Sequence, residues 1–146
     1  MDDSTALAAL DDLARLVRRA SQELDRAIAT CLGESSVGRW HVLEAVAGGA
    51  GLSMSQLADA TLLNAATLTR LIDAMIADNL VLRKVDDTDR RRVLVFPTRR
   101  GQLTRKVMEQ TLAASGLAEI GATAASATKA LTVLVDRVAA TEPAPL

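Results

Sequence analysis

Residues 53–101, SMSQLADATLLNAATLTRLIDAMIADNLVLRKVDDTDRRRVLVFPTRRG, prescribe an order of elements that few folds can use. Ser-Met-Ser-Gln opens a helix with a capping box: the Ser53 hydroxyl takes a free amide of the first turn, and Gln56 reaches back to the Ser53 amide. Leu57 and Ala58 face inward, and the chain turns through Ala60 to Leu63. Asn64 caps a second helix, from about Ala65 to Asp78. Its Leu68, Leu71, Ile72, Met75 and Ile76 recur at three- and four-residue steps and make one buried face. Asn79 stands where a left-handed residue ends a helix, a place usually held by Gly and tolerated by Asn. Leu80 to Val85 and Val93 to Phe96 are short apolar segments flanking Asp-Asp-Thr-Asp-Arg-Arg-Arg, and they read as a hairpin. Thr98 then caps another helix.

On either side of this module the chain is helical. The first helix is expected from about Thr5 to Cys31, with Leu10, Leu13, Val17, Ala20, Leu24 and Ile28 in one stripe and Gly33 just past its end. A second runs from about Ser36 to Ala47, carrying Trp40, Leu43, Val46 and Ala47 on one face, and Gly48, Gly49 and Gly51 break it. The helix capped by Thr98 is expected to reach about Ile120 and break near Gly121, followed by a final helix from about Ala124 to Ala140. That last helix carries Leu131, Leu134, Val135 and Val138, and only Lys129, Asp136 and Arg137 are charged. A helix apolar on nearly every side has to be buried, and a chain of 146 residues has little interior to bury it in. Pairing with the first helix of a second copy is the economical solution.

The fold class expected is therefore mostly α with a small β wing: one domain over residues 1–146, a winged helix-turn-helix over 36–101, and dimerisation helices in 1–34 and 102–146. A composition rich in Ala and Leu, with one Trp, one Phe and no Tyr, favours helices over a large sheet. The single cysteine, Cys31, excludes an intrachain disulfide and fits a reducing compartment. An acidic amino terminus unlike a signal peptide, and the lack of an apolar run long enough for a bilayer, give a cytoplasmic protein with no membrane partner as the expectation.

Formal net charge is −1, but it is unevenly spread. Residues 64–106 hold ten Arg or Lys against five Asp, a net +5, and the remainder of the chain is −6. The positive half coincides with the second helix of the module, the hairpin and the start of the next helix, which is the electrostatic footprint of a duplex-DNA binder. A helix-turn-helix grips DNA by laying its second helix in the major groove. The residues available there are Ala65, Ala66, Thr67, Thr69 and Arg70, beside the caps Ser53 and Asn64. Small residues let the backbone approach, Thr can bond base edges or touch a thymine methyl, and Arg70 can reach a guanine or a phosphate. On the hairpin, Asp89, Arg90, Arg91 and Arg92 stand at the tip, where an oriented Arg can enter the narrow minor groove. Asp89 would repel DNA, so it is expected to orient a neighbouring Arg, with Arg83 and Arg91 the candidates. Arg90, Arg92 and Arg99, with Arg100, are placed to neutralise phosphates, aided by the helix dipole after Thr98.

The ordered set of motifs resembles the MarR family of bacterial transcriptional regulators. The chain shows Trp40 and Leu43, Gln56 to Ala58, Thr67, Thr69 and Arg70, then Leu80, Val81 and Arg83, Asp89 and Arg91, and finally Thr98 and Gly101. It departs from the pattern at Asn79, where Gly is usual, and at Pro97, where Leu is common. The resemblance implies an obligate homodimer of triangular shape that binds a pseudo-palindromic double-stranded operator. It also implies a repressor, often released by a small phenolic or other apolar ligand. No cofactor is expected and no catalytic set is discernible, so an enzyme is not expected.

Five further residues invite roles. A crevice is expected between the first two helices and the base of the helix that starts at Thr98, bordered by Arg15, Arg39, Trp40 and His41. Arginines beside an apolar slot suit a small acidic or phenolic effector. The same arginines could equally pair with acids such as Asp11 and Glu44, and the sequence leaves both readings open. Cys31 sits near the end of the first helix without a Tyr to assist it, so an inert thiol is favoured over a redox sensor, which remains the alternative regulator. A third reading is a protein-interaction module that kept the fold. The retained arginines argue against it. One His and one Cys make no metal site.

Overall fold

Buried aliphatic side chains from residues 42–95 hold this molecule together, and the helices at its two ends contribute almost none of them. The computed structural model describes residues 1–141; the last five residues of the expected 102–146 dimerisation segment lie outside the described residues. Helix α1 spans Asp3–Leu32, α2 Val37–Val46, α3 Met54–Thr61 and α4 Ala65–Ala77. Strands β1 (Val81–Val85) and β2 (Val93–Pro97) follow, then α5 (Arg99–Ala114), α6 (Leu117–Thr123) and α7 (Ala125–Ala140). The architecture is mostly helical with a two-stranded wing, as expected.

Val42, Leu43 and Val46 of α2 meet Leu57 of α3, Leu68, Ile72 and Met75 of α4, and Leu80, Val81 and Val95 of the sheet. Helices α3 and α4 bury the faces their sequence periodicity marks as apolar, whereas α2 buries Val42 beside Leu43 and Val46 and leaves Trp40 and Ala47 half-buried. The strands pair antiparallel, Val81 opposite Pro97 through Val85 opposite Val93. Their pairing is extended by a residue that sequence alone does not identify as part of the sheet. Leu52 accepts from the Val95 amide at 2.7 Å and donates to the Val95 carbonyl at 3.0 Å. The glycines before it make this approach possible: Gly51 has φ +79°, and a Cβ there would stand 2.5 Å from Cζ of Phe96. Gly51 thus both ends the loop after α2 and makes room for the Phe96 ring.

The caps act as the sequence prescribes. Ser53 Oγ accepts from the Gln56 amide at 3.1 Å while Gln56 Oε1 accepts from the Ser53 amide at 2.9 Å. Asn64 Oδ1 accepts from the Thr67 amide at 2.8 Å, and Asn79 ends α4 with φ 58°. Thr98 does more than cap. Its Oγ1 accepts from the Gly101 amide at 2.9 Å and donates to the Asn79 carbonyl at 2.7 Å, tying the start of α5 to the end of α4.

Three boundaries differ from expectation. Helix α1 begins at Asp3, because Asp2 and not a later residue caps it, accepting from the Thr5 amide at 2.8 Å. A short 3-10 turn, Glu34–Ser36, precedes α2, so that helix begins at Val37. The long helix after Thr98 breaks at Ser115-Gly116 instead of near Gly121. Gly116 is left-handed at φ 86°, and Ser115 Oγ donates to the Leu112 carbonyl at 2.6 Å, whereas Gly121 lies inside α6.

The terminal helices carry little burial of their own. Helices α1, α6 and α7 contain no buried residue, and α5 contains only Gly101. Among the described residues no helix is long and apolar enough to cross a membrane.

Candidate nucleic-acid interface

The turn from α3 into α4 sets the exposure of the helix that follows. Leu62 caps α3 in the left-handed region, φ 56° and ψ 22°, a conformation that costs a non-glycine residue about 1 kcal/mol. Its side chain is 89% exposed, so no packing is gained in return. The sequence gives no signal for this, since Gly or Asn would ordinarily mark such a position. Asn64 then starts α4, with Ala65 and Ala66 exposed at its tip and Thr69 and Arg70 exposed on the same outer side. Thr69 Oγ1 donates to the Ala65 carbonyl at 2.9 Å. Its proton is committed to the helix, which leaves its methyl and oxygen lone pairs for a partner. Leu68 and Ile72 face the core, anchoring the opposite side of the helix.

At the wing, Asp89 Oδ1 accepts from the Arg91 amide at 3.1 Å and from Arg91 Nε at 3.2 Å. The Arg91 side chain is nonetheless 91% exposed: it is aimed by one carboxylate and otherwise free. Of the two arginines expected to partner Asp89, Arg91 does so and Arg83 does not. Arg83 Nη2 instead lies 2.7 Å from Asp73 Oδ1, an ion pair between β1 and α4 that fixes the wing against the exposed helix. Arg83 thereby holds β1 to α4. The rest of the tip is held by backbone bonds, Asp86 N–H to the Arg92 carbonyl and Arg92 N–H to the Asp89 carbonyl, both 2.9 Å. Asp86 also accepts from the Thr88 amide and hydroxyl, and these bonds hold its carboxyl below the usual carboxylate range. Arg90 is exposed; Arg92 is exposed and reaches Gln56 Oε1 at 3.4 Å, linking wing and α3. Arg99 and Arg100 are exposed in the first turn of α5. Ser53 spends its hydroxyl on the capping box, leaving its part in any interface to the helix end that it caps.

The other expected site comes together only in part. A cleft of about 550 Å³ opens between α1, α2, α5 and α6, and Trp40 lines it. Arg15, Arg39 and His41 do not. Arg15 lies 3.7 Å from Asp12, Arg39 Nη2 is 2.6 Å from Asp78 Oδ2 at the end of α4, and His41 Nε2 is 3.5 Å from Asp25. Of the two readings left open by the sequence, pairing with acids is the one realised, with Asp12 and Asp78 as the partners. The cleft also lies along the far half of α5 and against α6, because the break at Gly116 carries α6 to its wall. Its charged lining is Glu44 and Glu109, which the sequence reading did not select. Cys31 is half-buried near the end of α1.

The model of the MarR family matches residues 36–92, which contain α2, α3, α4, β1 and the wing tip up to Arg92. Over these residues the chain matches the MarR family. Solved structures extend the likeness of fold across nearly the whole chain. CouR from Rhodococcus jostii RHA1, bound to p-coumaroyl-CoA, aligns with a TM-score of 0.72 at 20% identity, covering 92% of this chain and 96% of CouR. BpsR of Bordetella bronchiseptica, studied for regulation of DNA binding by 6-hydroxynicotinic acid, aligns at 0.68 and 23%, covering 88% and 94%. A mutant MarR from E. coli complexed with operator DNA aligns at 0.69 and 22%, covering 89% and 95%. At these identities the likeness is one of fold. No curated protein matches the chain. The matched residues include every buried core side chain described above except Val95.

Proposed function

We propose that this protein is a homodimeric, sequence-specific DNA-binding transcriptional regulator, a repressor that a small molecule releases from its operator. The observation that carries this reading is the wing: Asp89 aims Arg91 while leaving it 91% exposed, at a hairpin tip that also carries the exposed Arg90 and Arg92. The Arg83–Asp73 pair ties the wing to α4, whose first turn is exposed. In this reading Ala65, Ala66, Thr67, Thr69 and Arg70 enter the major groove, Arg91 the minor groove, and Arg90, Arg92 and Arg99 meet phosphates. The mutant MarR solved with operator DNA supports the mode of binding by its fold.

Uncovered apolar surface supports dimerisation. Leu7, Leu10 and Val17 of α1 are 64%, 54% and 41% exposed, and Val133, Val135 and Val138 of α7 are 54%, 63% and 53% exposed. Burying each such side chain is worth about 1–2 kcal/mol, so a second copy covering both stripes is strongly favoured over solvent. Sedimentation at micromolar concentration should give a single dimeric species. A monomer there would contradict this part of the reading.

Two substitutions separate the parts of the interface. Arg91→Ala should weaken binding to every operator and blunt any preference for A·T-rich flanks, because a wing Arg reads groove width and potential. Thr67→Ala should cost about 1–3 kcal/mol at one or two base positions and leave non-specific binding in place. Fluorescence anisotropy against a panel of single-base operator variants reads both. Matching specificity profiles for the two mutants would show that helix and wing do not divide the work in this way.

A further inference from the structure

The cleft between α1, α2, α5 and α6 constrains the charge of what it can hold. Leu24 and Ile28 of α1 and Leu112 of α5 give it aliphatic walls, and Trp40 offers one aromatic face. Glu44 from α2 and Glu109 from α5 are its charged lining, with side chains 41% and 47% exposed. The cation beside them is already engaged. Arg105 Nη1 donates to Glu44 Oε1 at 3.4 Å and also to Glu109 Oε1, while its Nε donates to Gln102 Oε1 at 3.3 Å. One guanidinium is shared by two carboxylates, which leaves one negative charge uncompensated at the edge of an apolar slot. The arginines that would have favoured an acid, Arg15 and Arg39, are paired elsewhere.

We infer that this cleft binds amphiphilic cations: an aromatic or aliphatic body against Trp40 and the leucines, carrying an ammonium or amidinium group that reaches Glu44 and Glu109. A carboxylate in the same position would meet two glutamates and an Arg whose Nη1 and Nε are already turned to Glu44, Glu109 and Gln102. The neighbouring indole adds to the preference, since an aromatic face attracts a cation.

The site is placed to move the DNA-binding parts. Glu44 through Arg105 ties α2 to α5, the helix that emerges from the wing. Trp40 follows Arg39, whose guanidinium holds Asp78 at the end of α4. An ammonium that takes a share of Glu44 and Glu109 loosens the Arg105 tie, and displacement of Trp40 carries along α2 to the Arg39–Asp78 pair. This coupling rests on the ligand-release reading above; the charge preference of the cleft does not.

The test uses a matched set of probes, 4-biphenylmethylamine, 4-biphenylmethanol and biphenyl-4-carboxylate, titrated calorimetrically into the full-length protein at neutral pH. The amine should bind about tenfold more tightly than the carboxylate, with the alcohol between them. In the double variant Glu44→Gln, Glu109→Gln the amine should lose its advantage over the alcohol, and Trp40→Ala should weaken all three. A carboxylate that binds as well as the amine in the native protein overturns the inference, as does failure of all three to bind. An amine preference that survives in the folded double variant overturns it equally. Operator competition with the amine is the second arm. Preferential binding that leaves operator affinity unchanged would uphold the cleft's charge preference and contradict ligand release.

Discussion

Gly101→Ala should lower the melting temperature by about 10 °C, on the scale where each kcal/mol lost moves a domain of this length by roughly 2–4 °C. A Cβ at Gly101 would stand 2.0 Å from the Leu80 carbonyl oxygen and 3.0 Å from its carbon, and within 3.4 Å of Leu43. The obstruction is backbone, so no rotamer change can relieve it. That same carbonyl accepts from the Thr98 amide at 3.0 Å, and Gly101 donates its own amide to Thr98 Oγ1. Pushing α5 off Leu80 therefore breaks the junction between the end of α4, the first wing strand and α5, at a cost on the order of 3 kcal/mol or more. Gly48→Ala is the control: open space surrounds it and its φ is not positive, so its melting temperature should stay the same or rise slightly. Differential scanning calorimetry of both variants reads the difference. Equal stability of Gly101→Ala and the native protein would mean that α5 does not sit where described.

Affinity for operator DNA should fall by about a thousandfold or more between 50 and 200 mM salt, the loss expected for six or more neutralised phosphates. Arg70, Arg90, Arg99 and Arg100 are exposed and have no carboxylate partner among the described residues. Two protomers double that set and add the two copies of Arg91. The whole-chain charge of −1 does not cancel this effect, because the basic excess is concentrated in residues 64–106 and charges farther than a Debye length from a phosphate are screened. Anisotropy titrations at stepped salt give the slope directly. A slope near zero would remove the electrostatic basis of the proposed interface, and removing Arg90 and Arg99 together should flatten it in proportion.

The winged module was legible because its signals are local. Capping boxes, helical periodicity and an apolar–charged–apolar hairpin each act over a few residues, and Ser53, Asn64, Asn79 and Thr98 all do what their positions dictate. Long-range choices were not legible. Asp73 takes Arg83 from ten residues away, and nothing in the spacing distinguishes Asp73 from Asp89 as its partner. Leu52 bridges to Val95 across more than forty residues, and Leu62 adopts a left-handed turn that its residue type disfavours. The break at Ser115-Gly116 and the one expected at Gly121 look alike in sequence, since both place a Gly in a helical run. Only the first takes positive φ. That difference moves α6, and with it the cleft, so Arg15, Arg39 and His41 pair away from it and Glu44 and Glu109 stand on its wall.

The central claim is that the exposed helix and wing read a duplex sequence as a symmetric pair. Selection of bound duplexes from a random pool by the full-length protein, at about 100 mM salt to limit non-specific binding, tests it most directly. The expected result is enrichment of a pseudo-palindrome whose half-sites lie roughly one helical turn, about ten base pairs, apart, with A·T-rich flanks under the wings. Recovery of a pool with no enriched sequence, or of a single half-site without its mate, would contradict it.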